Sequence, residues 1–106
     1  MGIMAKSVIE PGVCGMTTNV TVEEKDGMNM TLKVDSQCPA YKDLDERLPE
    51  VSMMAGFDPV GTGPIYEACR VSCKHGACPV PMGIIKTVEV ASNMALPKDV
   101  KVTIEK

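Results

Sequence analysis

The chain has no tryptophan, one phenylalanine, two tyrosines and a single histidine among its 106 residues. With so few aromatic faces, base-stacking recognition of single-stranded nucleic acid is excluded as a design. A positive balance is also missing: 11 Lys and Arg against 14 Asp and Glu leave a net charge of −3. Phosphate backbones therefore meet no collecting field, and nucleic acid is not an expected partner. No apolar run reaches the roughly 18 residues of a membrane helix. The N-terminal "MGIMAKSVIEPG" lacks the apolar centre of a signal peptide, so the expected location is the cytoplasm and no membrane partner is expected. There is no G-x-S-x-G, P-loop or dinucleotide fingerprint, and one histidine supplies little acid–base chemistry, so no catalytic residues are assigned.

What the chain does carry is five cysteines and nine methionines. A chain of this length forms a single domain, 1–106. In a reducing cytosol an odd set of five thiols points to metal binding or thiol chemistry rather than to a disulfide framework. The methionines read as flexible core filler.

A short strand is expected around Ser7 to Glu10. The stretch "MTTNVTVEEKDGMNMTLKVDS" then alternates with period two, which is the pattern of a β-hairpin. A three-residue turn, Lys25-Asp26-Gly27, sets facing positions to sum to 52: Val22 opposite Met30, Val20 opposite Leu32 and, at the open end, Cys14 opposite Cys38. The other register that preserves face parity, with sum 54, makes less use of Gly27. From Cys38 the spacing becomes helical through Tyr41, Leu44 and Leu48, with Pro39 as first helical residue. Residues 49–63 form a Gly/Pro-rich loop with at most one helical turn near Val51 to Ala55. A second helix is expected from Pro64 to about Gly76 and a third from Pro81 to Met94. "DVKVTIE" closes the chain as a strand that turns Val100, Val102 and Ile104 inward against the hairpin. The fold class is α+β: a two-layer sandwich of hairpin, three helices and C-terminal strand, with the helices on one face of an antiparallel or mixed sheet.

The thiols fall at turns. Cys14 lies in "GVCGM", while Cys38 and Cys78 each precede a proline at a helix start, where free backbone N–H groups favour a thiolate. These three are the candidate ligands of an iron–sulfur cluster such as 4Fe-4S, whose fourth position is open or filled by Cys73 or His75. Tetrahedral zinc on the same set is the alternative cofactor. Cys69, four residues before Cys73 on one helix face, reads as core.

The segments "GVCGM", "SQCPAYKDL" and "ACPVPMGIIK" resemble those of a small family of uncharacterised single-domain proteins from anaerobic archaea and clostridia. The resemblance implies an anaerobic cytosol, in which oxygen-labile clusters are practical, and implies no mechanism. The expected function is thus that of a cytosolic metal-binding, iron–sulfur protein serving electron transfer or cluster carriage for a protein partner or redox client. Alternatives are a structural zinc domain, or an interaction module whose methionine-rich loop is adhesive and whose thiols are incidental. The residues leave open whether two chains form a homo-oligomer.

Overall fold

The computed structural model describes residues 3–106. Strands β1 (Met4–Ile9), β2 (Thr18–Glu24), β3 (Asn29–Ser36) and β4 (Glu50–Ser52) form one antiparallel sheet in the order β1-β2-β3-β4. A 3-10 turn at Pro39–Tyr41 and the short helix α1 (Leu44–Arg47) lie between β3 and β4. Helices α2 (Pro64–Ser72) and α3 (Val80–Ala91) follow. No helix among the described residues is long and apolar enough to cross a membrane.

The α+β class and the one-faced sheet agree with the sequence pattern. Ala5, Ile9, Val20, Val22, Met30, Leu32, Val34 and Val51 all turn to one face, where they are buried with Leu44, Ile65, Ile84 and Val88 of the helices. The opposite face carries Lys6, Glu23, Lys33 and Asp35 in solvent. Alternation with period two separates these sets, and burying the apolar one supplies the main driving force for the fold.

Four expectations need correction. The hairpin register is sum 54, not 52: Val22 faces Leu32, Val20 faces Val34 and Thr18 faces Ser36. The cause lies at the tip. Asp26 Oδ1 accepts from the backbone N–H of Met28 at 3.2 Å and of Asn29 at 2.9 Å, making Asp26 the first turn residue, with Gly27 at φ +86° and Lys25 N–H bonded to the Asn29 carbonyl. A side-chain-closed turn of this kind outweighs the bulge placement of Gly27. The second correction is β4, which pairs Met30 with Val51 inside the stretch expected to be a loop with at most one helical turn. The third shortens the first helix to a 3-10 turn plus α1, broken between Tyr41 and Leu44.

The fourth concerns the C-terminal strand. Residues 97–106 have no regular structure, and Val100, Val102 and Ile104 are 53%, 77% and 87% exposed. The fourth strand of the sheet is Glu50–Ser52 instead.

Helix α3 lies along β1. Gly83 sits against Ile9, where a Cβ would come within 2.5 Å of the Ile9 Cδ1 atom, and Thr87 Oγ1 shares a 2.7 Å hydrogen bond with Ser7 Oγ. Only glycine allows that approach. On the other side of the core, Arg47 of α1 donates to the Ala68 carbonyl at 2.8 Å and to Ser72 Oγ at 3.1 Å, while Ser72 Oγ donates to the Ala40 carbonyl at 2.5 Å. These bonds fix α2 against the Pro39–Tyr41 turn and so place the site described next.

Candidate thiol site

Helix α2 ends where Cys73 N–H bonds to the Cys69 carbonyl at 2.9 Å and the backbone turns extended. Five residues on, Cys78 N–H bonds to the His75 carbonyl at 3.1 Å, folding "KHGA" into a tight return. The consequence is that Cys73 and Cys78 come back together at the entrance to α3. From below, the Pro39–Tyr41 turn projects the buried Tyr41 ring, whose hydroxyl lies 3.1 Å from Cys78 Sγ.

An open pocket of about 350 Å³ is lined here by Tyr41, Tyr66, Cys69, Cys73, His75 and Cys78, together with the cationic Arg70 and Lys74. Its three thiols differ in character. Burial, reinforced by Cys78 and Cys73, pushes the Cys69 thiol up to about 12. Burial also raises Cys78, and the charge of Cys73 adds to it, against the opposing effects of hydrogen bonds from Tyr41 and the Val80 backbone. At Cys73 burial again opposes ionisation, but hydrogen bonding with Tyr41, the His75 backbone and Cys78 outweighs it and moves the thiol below its ordinary range. The pair is therefore biased in opposite directions, Cys73 toward ionisation and Cys78 away from it. Tyr41 itself, desolvated by burial, influenced by Cys73 and hydrogen-bonded to Cys78, keeps its proton far above the usual phenol range.

The sequence-derived residues separate as follows. Cys78 is in the pocket, and so are Cys73 and His75, the two candidates for a fourth ligand. Cys38 is half-buried as the N-cap of the Pro39–Tyr41 turn and packs against the core, outside the pocket lining. Cys14 is exposed in the turn that Gly15 N–H closes on the Gly12 carbonyl at 2.9 Å. The sum-54 register would set Cys14 level with Ala40 rather than Cys38, and ladder pairing ends before either, at Thr18 and Ser36, followed by a bond from Gln37 N–H to the Thr17 carbonyl. Among the described residues, no three His, Cys, Asp or Glu side chains stand together in a way that could hold a metal ion. Cys69 is core, 2% exposed, as its helical spacing indicates.

Tyr41 is the pocket side chain that the sequence pattern did not single out. Its position at helical spacing with Leu44 marked it as apolar; the signal overlooked is that a buried tyrosine needs a partner for its hydroxyl.

No curated protein and no solved structure shows significant similarity to the chain. A family model does match it over residues 5–104, nearly its whole length, and the chain belongs to that family, DUF6951, a family of unknown function.

Proposed function

We propose that this protein acts through a dithiol, Cys73 and Cys78, in thiol–disulfide exchange with a protein or small-molecule disulfide. One observation carries the reading: two thiols brought together by the four-residue return "KHGA" are biased in opposite directions around a single tyrosine hydroxyl. The lower-pKa thiolate is the better-populated nucleophile near neutral pH, and the protonated partner is held in reserve.

Cys73 thiolate attacks a sulfur of the client disulfide, forming a mixed disulfide and releasing one client thiolate. Cys78, after losing its proton to solvent, attacks the Cys73 sulfur and releases the second client thiolate. The client ends reduced by two electrons and the protein holds a Cys73–Cys78 disulfide. The reverse sequence oxidises a client dithiol.

The test is alkylation followed by peptide mapping. Cys73 should react first at pH 7, and mild oxidation should remove two thiols and yield a linked Cys73–Cys78 peptide. Equal labelling of Cys14, Cys38 and Cys73, with no such link, would sink the proposal.

A second reading makes the thiols ligands of an iron–sulfur cluster, or of zinc. It is favoured by the presence of a third thiol, Cys69, and of His75 around the same pocket, more than a dithiol needs. It would need the pocket side chains to turn inward, or Cys38 and Cys14 to join from outside. Anaerobic reconstitution with iron and sulfide separates the two: stoichiometric iron lost in Cys73→Ser and Cys78→Ser variants supports the cluster.

A further inference from the structure

The C-terminal arm and the outer edge of the sheet are each incomplete. Residues 99–105, "DVKVTIE", carry the alternation of a half-buried strand, yet their apolar side chains stand in solvent. Strand β1 pairs only with β2, so among the described residues its other edge offers unpaired backbone groups over Met4–Ile9. An uncovered strand edge of this length is a template for another strand.

The side chains that would flank such a strand are in place. Ala5, Ser7 and Ile9 share the face of β1 that meets α3, where Thr87 bonds to Ser7 and Gly83 lies against Ile9. A strand added beside β1 and presenting Val102 and Ile104 inward would take those two side chains out of solvent on the face that carries Ser7 and Ile9.

Charge selects the orientation. With an antiparallel arm whose facing positions sum to 111, Val102 meets Ile9 and Ile104 meets Ser7 on the inner face. On the outer face Glu105 meets Lys6, Thr103 meets Val8 and Lys101 meets Glu10, so both charged pairs are of opposite sign. Because Gly83 lies at Ile9 and Thr87 at Ser7, α3 runs opposite to β1 and ends beside the start of that strand. The arm of the same chain would therefore run parallel to β1, and the matched parallel alignment sets Lys101 beside Lys6 and Glu105 beside Glu10. The antiparallel arm comes most directly from another molecule.

We propose that two copies of this chain form a two-fold dimer by exchanging arms, residues 99–105 of each adding a fifth strand to β1 of the other. Reciprocal donation satisfies both edges and closes the assembly. The inference is independent of the thiol site.

The experiment is sedimentation equilibrium on the full chain over about 1–100 µM. A dimer is expected, with removal of residues 97–106 giving a folded monomer, because the arm contributes nothing to the core. Val102→Asp should weaken dimerisation at least tenfold. Lys6→Glu should weaken it, and Lys6→Glu combined with Glu105→Lys should recover most of the loss. A monomer across the whole range, or a dimer whose affinity the truncation leaves unchanged, overturns the proposal.

Discussion

The hydroxyl of Tyr41 lies 3.1 Å from Cys78 Sγ, joining the turn after β3 to the entrance of α3 across 37 residues of sequence. Both Cys73 and Cys78 are biased by that one group, so its removal has a readable signature. In Tyr41→Phe the Cys73 thiol, no longer held down by the hydroxyl, should titrate at higher pH, and its alkylation rate at pH 7 should fall several-fold. Stability should drop by about 1 kcal/mol, the usual net worth of one such bond. An unchanged pH–rate profile at Cys73 would show that the hydroxyl does not tune the pair.

The two thiols should also be separable by substitution. Cys78→Ser should leave Cys73 reactive but unable to resolve, so that a mixed disulfide with a small disulfide reagent accumulates. Cys73→Ser should abolish rapid labelling of the pair, since the thiol left behind is the raised one. Intact-mass spectrometry after brief exposure to oxidised glutathione distinguishes the two outcomes.

Cys69 makes the fold sensitive to alkali. Its folded-state pKa of about 12 stands above the ordinary thiol value of 9.0. A raised group contributes stability that is complete below its unfolded value and is lost as pH rises toward the folded one. Stability should therefore fall between about pH 9 and 12, with a slope partly removed in Cys69→Ala. That variant should itself lose roughly 1 kcal/mol at pH 7 to the cavity left by the thiol. Urea unfolding at pH 8 and pH 10.5 gives the comparison, and parallel slopes in both proteins would refute the assignment.

Gly83→Ala sets propensity against packing. Alanine gains up to about 1 kcal/mol of intrinsic helix preference. Its Cβ, however, would lie 2.5 Å from Ile9 Cδ1 and 2.7 Å from Ile9 Cγ1, and overpacking of a core costs about 1–3 kcal/mol. A net loss of stability is expected, and Ile9→Ala in the same chain should make the added methyl favourable. Chemical denaturation of the four proteins of this cycle measures the coupling.

Arg47 fastens α2 to the preceding turn with bonds to the Ala68 carbonyl and Ser72 Oγ. Arg47→Ala should cost about 1–2 kcal/mol. It should also loosen the pocket, seen as faster hydrogen exchange in residues 64–72. Protection in that segment equal to that of the parent protein would assign the bonds no positional role.

What the sequence revealed and what it hid have physical causes. Binary alternation identified the inner face at Val20, Val22, Met30, Leu32 and Val34, because facing parity survives any two-residue slip. For the same reason alternation could not choose between sums 52 and 54, and the carboxylate of Asp26 did. Helix α3 was legible from its apolar spacing and prolines. Strand β4 was not, since three residues beside a proline carry too little pattern to outweigh the Gly/Pro content around them. In the site, Cys78, Cys73 and His75 were singled out by spacing, but their grouping with Tyr41 depends on a turn meeting a loop, which no local pattern encodes. The alternation of Val100, Val102 and Ile104 suggested a closing strand, but alternation alone does not supply a partner, and in the fold these side chains stand in solvent while Glu50–Ser52 is the fourth strand.

Asp26 has a further effect at a distance. Sliding β3 against β2 by two residues, about 7 Å along the strand, would leave every side chain on its proper face. It would nevertheless carry Ser36, Cys38 and the Pro39–Tyr41 turn with it. The phenol that reaches Cys78 would then stop a full pleat away from it. A carboxylate at one pole of the molecule thus meters the reach of a hydroxyl near the other, with the two strands between them acting as a rigid rule.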